Sequence, residues 1–436
     1  MIPGIKSITQ PIPGMKMLDD IHQTLEGVED KDLLIYIHVP FCNSKCVFCD
    51  WVADIPVADL KAASTLGDQY VKAVCAQIRS YGPKLSAIGY TPKYIYWGGG
   101  TPSRLEGEQI LEIVSTLRET FDLSSLVQHA METSPESLTL PKLKAIRAAG
   151  VERLSMGVQS FDNAELRRSA RAHSAEQAVE AVGMIREVGI EDFNLDLIAA
   201  LPGQTMETLE YSIRRTIELA PPHISLYVYR PDPRTVMAKQ SVGGHREIVN
   251  LQKMRSAYDL AKQMLTEAGN EEYATFYFAR EPRFRFRGEM YYFELRGDYV
   301  GFGSGAYSIL GHRFLKNVSD LHSYMESPLD FEYCEVFSPH RPETQLSILL
   351  SEAVLTQPGI NYKNFERLTG FNFSEIRRHP YFEVLMQYYK DCGGEFRETN
   401  ESLSVTPESR SKAHITHLAG IYEAGRLSCS VDRARA

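Results

Sequence analysis

Between Leu33 and Val228, short apolar runs alternate with stretches whose apolar residues recur at helical spacing. The apolar runs predict six strands: Leu33–Val39, Lys93–Trp97, Val127–Glu132, Arg153–Val158, Phe193–Ile198 and His223–Val228. Each is rich in apolar or β-branched residues and closed by glycine, proline or polar residues. The helices between them carry boundary signals. Pro141 suits a first turn and Gly150 a stop. Ser174 and Gln177 make a capping box ahead of Ala178, Val182 and Ile185, and Gly189 ends the segment. Leu209, Ile213 and Ile217 repeat the helical spacing after Thr205. Parallel strands need crossover helices, so this alternation predicts an α/β fold with a parallel sheet, curled by right-handed crossovers into a partial barrel. Ligands in such folds gather at the carboxyl ends of the strands.

After about residue 240 the rhythm changes. Arg283-Phe-Arg-Phe-Arg287 reads equally as an edge strand or a ligand surface, and Gly301-Phe-Gly-Ser-Gly305 as a tight turn beside a site. The glycine run lacks the following lysine of a phosphate-binding loop. From about Pro342 the pattern is that of a small helical, winged-helix-like domain. It contains a hairpin over Glu395–Thr406 that turns at Thr399-Asn400-Glu401. The pattern thus divides the chain into an N-terminal extension (1–30), a core partial barrel (31–240), a barrel extension lining the site (241–341) and the C-terminal domain (342–436).

Composition narrows the function classes. With 436 residues, 43% hydrophobic and 24% charged, the chain is ordinary for a globular protein with a real core. A formal net charge of −9 argues against a nucleic-acid partner. No apolar run is long enough to cross a bilayer, and the first residues lack the apolar stretch of a secretory signal, so no membrane association and a cytoplasmic location are expected. Three of the seven cysteines fall within eight residues, while Cys75, Cys334, Cys392 and Cys429 are scattered. That is a thiolate site and not a disulfide framework.

The cluster stands in Tyr36-Ile-His-Val-Pro-Phe-Cys42-Asn-Ser-Lys-Cys46-Val-Phe-Cys49, just past the first strand. Three thiolates at C-x3-C-x2-C spacing can hold three irons of a cubane and leave the fourth open to chelate a small molecule. A structural zinc would want four ligands, and the nearest candidate, His38, lies on the strand before the loop. Cys42, Cys46 and Cys49 are therefore assigned to a [4Fe–4S] cluster.

In this setting the motif resembles the radical SAM (S-adenosylmethionine) superfamily. More narrowly it resembles the branch of oxygen-independent coproporphyrinogen oxidases, related heme chaperones and class C radical SAM methyltransferases. The resemblance runs over roughly residues 33 to 420. It implies SAM as cofactor, two molecules of it, with Tyr36, Gly99 and Glu132 serving the cluster-bound one. Phe48, Gly100, Thr101, Gln159, Arg171 and Asp196 would serve the second. A small-molecule substrate and an electron donor such as flavodoxin or ferredoxin follow from the same resemblance. Arg171 suits a carboxylate and Asp196 ribose hydroxyls. Glycine at 99 and 100 would let backbone amides approach the methionine part of SAM.

Two departures from the family pattern bear on the branch. The oxidases carry a cysteine two residues after the third ligand, where this chain has Trp51. The chaperones carry a His-Asn-x-x-Tyr-Trp heme segment where this chain reads Gly288-Glu289-Met290-Tyr291-Tyr292-Phe293. Cys49-Asp50-Trp51 looks like the class C methyltransferases, so transfer of a SAM-derived methyl or methylene to an sp2 carbon of a natural product is the expected activity. Porphyrinogen decarboxylation and heme chaperoning are the alternatives. Tyr227, Tyr229, Tyr291, Tyr292 and Tyr307 lie near strand ends or the glycine turn, but no catalytic residue is assigned among them.

Overall fold

The computed structural model describes residues 12–24, 31–49, 60–230, 235–236, 250–340 and 345–419. Their strands β1 (Ile12–Pro13), β2 (Asp32–Val39), β3 (Thr91–Gly99), β4 (Gln128–Thr133), β5 (Arg153–Gln159), β6 (Asp192–Ala199), β7 (His223–Val228), β8 (Glu271–Ala274), β9 (Tyr277–Ala279), β10 (Asp298–Phe302), β11 (Tyr307–Leu310), β12 (Arg313–Asn317) and β13 (Asp330–Val336) form one sheet. Its order is β1-β13-β12-β11-β10-β2-β3-β4-β5-β6-β7-β9-β8. Strands β2 to β7 are the six expected ones, parallel and in sequence order. The fold is α/β, a partial barrel open between its two edge strands.

The connecting helices form where the boundary signals stand. Thr139 caps the helix Leu140–Ala148, with Pro141 in its first turn. Ser174 and Gln177 close a capping box on Ala175–Glu187, whose Ala178, Val182 and Ile185 are buried. Thr205 caps Met206–Leu219.

Strand alternation decides what the barrel encloses. In β5, Leu154, Met156 and Val158 alternate with Arg153, Ser155, Gly157 and Gln159; in β6, Phe193, Leu195 and Leu197 alternate with Asp192, Asn194 and Asp196. In β7, Ile224, Leu226 and Val228 alternate with His223, Ser225 and Tyr227. A sheet covered on both faces is ordinarily apolar on both. Here the apolar set packs in the main core, and the alternate set carries the polar groups that bond to one another across the strands.

Arg283–Arg287 is neither strand nor open surface. Pro282 starts a 3-10 turn, Pro282–Phe284, and the helix Arg287–Phe293 follows, with Phe284 and Phe286 buried and Arg283 exposed. The glycine run begins within β10, which pairs in parallel with β2 and sets Gly301 beside Tyr36. Its turn residue Gly303 has φ +109°, and a Cβ there would lie 2.6 Å from the His38 carbonyl oxygen.

The last part of the chain holds the helices Gln345–Ala353, Tyr362–Thr369, Phe373–Arg377 and Pro380–Asp391, and a further one over 407–419. A small sheet accompanies them: β14 (Ile360–Asn361), β15 (Phe396–Glu398) and β16 (Ser402–Val405), with β15 and β16 as the expected hairpin. Leu346, Leu350, Phe365 and Leu368 share one core with Leu34, Tyr291, Tyr299 and Phe314, so this part packs against the barrel through an apolar face. Among the described residues no helix is long and apolar enough to cross a membrane.

Candidate functional site

The loop leaving β2 is held across the carboxyl ends of the strands. Gly100 and Thr101 donate their backbone N–H groups to the carbonyls of Val39 (2.8 Å) and Phe41 (2.7 Å). On the far side Val47 N–H bonds to Ser169 O (3.2 Å), and Ser44 Oγ to Ala170 O (3.0 Å). Phe48 and Val47 pack on Ile198, Leu201 and Tyr229, at and beyond the ends of β6 and β7. Cys42, Cys46 and Cys49 are partly exposed and free of disulfides. Thr101 Oγ1 lies 3.6 Å from Cys42 Sγ, and Arg171 Nη1 donates to Cys46 Sγ at 3.3 Å.

These residues fit an iron–sulfur cubane. Burial pushes the Cys42 thiol up, and the Thr101 bond and the Arg171 charge oppose it. No three carboxylate, imidazole or thiol groups among the described residues form a site for a single metal ion. A cubane does not need that, because each thiolate binds a different iron. Arg171 also keeps its Nε buried and without a partner, an open donor next to the thiols.

The residues expected to hold SAM fall into two groups, each built around a glycine inside a strand. A Cβ on Gly98 would lie 3.1 Å from Tyr36 and 3.2 Å from Glu132. Tyr36 donates to or accepts from His38 Nδ1 at 3.1 Å, and Glu132 accepts from the Tyr96 hydroxyl and the Gly99 N–H. Burial pushes the Glu132 carboxyl up to about 8; the Tyr96 bond opposes this, and the charge of Asp196 adds to it. Gly99 has φ +108°, and a Cβ there would strike the His38 ring. Tyr36, Gly99 and Glu132 are thus brought together.

The second group surrounds Gly157, where a Cβ would lie 2.9 Å from Gln159 Nε2 and 3.5 Å from Arg171 Nη2. Asp196 stands beside Gly157 in the register of β5 and β6. It accepts from Asn194 (2.6 Å) and Ser155 (3.3 Å), and burial still raises its carboxyl. Gln159 ends β5 at φ +71° and Ala170, before Arg171, sits at φ +54°; left-handed backbone at non-glycine residues is uncommon and concentrates at sites. Glu136 lies 3.4 Å from His173 and within the field of Arg171; burial alone would raise its carboxyl, but these two partners bring it down to about 2. Gly100 and Thr101 stand apart from this group. Their amides are spent on the exit of β2 and are not free for SAM.

Partly exposed positions mark the lumen. Tyr36, Tyr96, Glu132, Gly157, Asp196 and Tyr227 supply at least one such place in the middle or second half of each strand from β2 to β7, with Gly99 and Gln159 further ones on β3 and β5. Sequence reasoning did not assign Gly98, Tyr96 or Gly157. The available signal was a glycine within an otherwise strand-like run, which marks close approach of another group.

Residues 36–216 match the radical SAM superfamily. Heme chaperone HemW of Haemophilus influenzae is 31% identical over 362 residues, 82% of this chain and 91% of that protein. Oxygen-independent coproporphyrinogen III oxidase of Salmonella typhimurium is 30% identical over 318 residues, 70% of this chain and 67% of that protein. The structure of coproporphyrinogen III oxidase HemN from Escherichia coli, a radical SAM enzyme, superposes with a TM-score of 0.72 over 92% of this chain and 93% of that one, at 22% identity, which speaks for the fold.

These relatives overturn the expected class C methyltransferase and its natural-product substrate. That expectation rested on Cys49-Asp50-Trp51, whose last two residues lie outside the described ones. Three residues at one turn carry far less weight than identity spread over three hundred. The chain belongs to the radical SAM superfamily, in the branch of heme chaperone HemW and the oxygen-independent coproporphyrinogen III oxidases.

Proposed function

We propose that this protein is a radical SAM enzyme of reduced tetrapyrroles, which oxidises a propionate side chain of a porphyrinogen with loss of carbon dioxide. The observation that carries this reading is the lumen. Beneath the thiols of Cys42, Cys46 and Cys49 it presents Tyr36, Tyr96, Glu132, Asp196 and Tyr227 to a ligand, where a purely structural barrel would be filled with apolar side chains. As a radical SAM protein the chain takes a [4Fe–4S] cluster and SAM, which together supply hydrogen-atom abstraction once an electron arrives from a donor such as flavodoxin or ferredoxin. Cys42, Cys46 and Cys49 hold the cluster.

The two glycine-centred groups support two SAM molecules. Tyr36, Gly99 and Glu132 serve the one on the open iron. Phe48, Gln159, Arg171 and Asp196 serve the other, Arg171 by pairing with its carboxylate and Asp196 by accepting from its ribose; Gly100 and Thr101 act by fixing the loop. Oxidation of the side chain would pass one hydrogen atom to the SAM-derived adenosyl fragment and one electron to an external one-electron acceptor, release carbon dioxide and leave a vinyl group. The protein's part is to orient the side chain, hold the loop closed over the lumen and exclude water.

The likeness to HemW favours a second reading, a heme chaperone. Against it, Gly288–Phe293 has no histidine where such relatives carry their heme segment. One experiment separates the two. The reconstituted protein is incubated anaerobically with SAM, reductant and coproporphyrinogen III, and titrated separately with heme. The enzyme gives 5′-deoxyadenosine and carbon dioxide only when porphyrinogen is present. A stoichiometric Soret band with heme and no porphyrinogen-dependent product would instead make it a chaperone.

A further inference from the structure

Glu289 is a lumen carboxyl group that neither the cluster nor the SAM groups employ. Glu289 lies on the helix Arg287–Phe293, which packs across β2, β3 and β4. That helix is pinned on both sides of it. Gly288 N–H bonds to Gln128 Oε1 at 3.2 Å, and the Tyr291 hydroxyl donates to Asp32 O at 2.7 Å. Gln128 and Asp32 begin β4 and β2, so the helix closes the amino-terminal end of the barrel and faces the cluster loop through the lumen. Glu289 itself is partly exposed and hydrogen-bonded to Tyr277, whose hydroxyl lies 3.3 Å from that of Tyr227.

We propose that Glu289, in its ionised form, accepts the N–H of one pyrrole ring of a reduced tetrapyrrole and so selects ligands with free pyrrole N–H groups over heme. This rests on the tetrapyrrole reading above. The groups around Glu289 include acceptors and neutral phenols: Tyr277 on β9, Tyr227 on β7, Tyr96 on β3, Tyr273 on β8, Glu132 on β4, Asp196 on β6 and Glu352 on the helix Gln345–Ala353. Among the described residues the cation within its field is Arg153 on β5, fully buried, which gives Nη1 to Asp192 and Phe284 O, keeps Nε and Nη2 without a partner, and lies over the Phe286 ring. A buried acceptor in such surroundings is satisfied by a neutral N–H donor. A pyrrole ring carries its N–H within one ring of the side chain to be oxidised. The sp3 bridges of a porphyrinogen let one ring tilt into the lumen, whereas the planar macrocycle of heme cannot tilt one ring and holds its nitrogens on iron.

Burial pushes the Glu289 carboxyl up to about 7, with the Tyr277 bond opposing and Asp196 adding. A ligand that needs the ionised form therefore binds more tightly as pH rises through that value. The test uses the reconstituted holoprotein, anaerobic and without reductant, titrated with coproporphyrinogen III and with heme at pH 6 and pH 8. Glu289→Gln keeps the shape and the acceptor toward Tyr277. It should weaken porphyrinogen binding roughly 10- to 100-fold at pH 8. The loss should be small at pH 6, and heme binding should be unchanged at both. Equal porphyrinogen affinity for variant and wild type at pH 8 would overturn the role of Glu289. A wild type that binds no porphyrinogen at all would overturn the tetrapyrrole reading, and this assignment with it.

Discussion

Glu132 shows how much a single lumen residue depends on its surroundings. Among the described residues no cation pairs with it; it accepts from one phenol and one amide, and burial carries its carboxyl from 4.5 to about 8. A carboxyl raised by folding holds a proton that the unfolded chain has already released, so its contribution is whole below about 4.5 and is lost as pH climbs to about 8. In the cluster-free protein Glu132→Gln should be as stable as wild type at pH 5. At pH 8 it should be more stable by about 1–3 kcal/mol, the cost of a buried carboxylate without a counter-charge. Urea midpoints at the two pH values check this, and equal midpoints at pH 8 would show that Glu132 is solvated. Glu132 and Gln159 stand at or next to the ends of β4 and β5 and were open to sequence reading for that reason, whereas Asp196 within β6 and Arg171 after the helix Asn163–Arg168 were singled out through the family resemblance. Tyr96 and Glu289 were not: their importance comes from facing residues distant in the chain.

At the scale of elements, the loop after β2 and the six strands were readable because local signals agreed with the global fold. Caps at Thr139, Ser174 and Thr205 stand where apolar periodicity begins, and each closes as expected. Arg283–Arg287 misled in both directions, because the turn started by Pro282 overrides the alternation of arginine and phenylalanine. The polar face of β5 to β7 was equally present in the sequence, yet the apolar runs that identify strands draw attention to the opposite face. The loop yields its own prediction. With Cys42, Cys46 and Cys49 all replaced by alanine, anaerobic reconstitution should leave almost no iron or sulfide bound. Cys334→Ala, on β13 away from the loop, should keep the full complement. Equal loss in both proteins would remove the loop from the cluster.

For the whole molecule, function depends on parts far apart in sequence closing one lumen. β2 to β7 form its wall, the loop of Cys42–Cys49 its roof and the helix Arg287–Phe293 its floor. The C-terminal domain adds Glu352 from outside the barrel. Sequence reading found the strands of the wall, the loop and the right branch of the superfamily, and erred within that branch, because the triplet at Cys49 on which the class C choice rested is local. The most direct test of this account follows hydrogen. Reconstituted enzyme is run anaerobically with unlabelled SAM and coproporphyrinogen III deuterated along its propionate side chains. The 5′-deoxyadenosine formed should carry deuterium from the substrate, carbon dioxide should be released, and no S-adenosylhomocysteine should appear. Deoxyadenosine free of deuterium, or none formed in response to the porphyrinogen, would contradict the account.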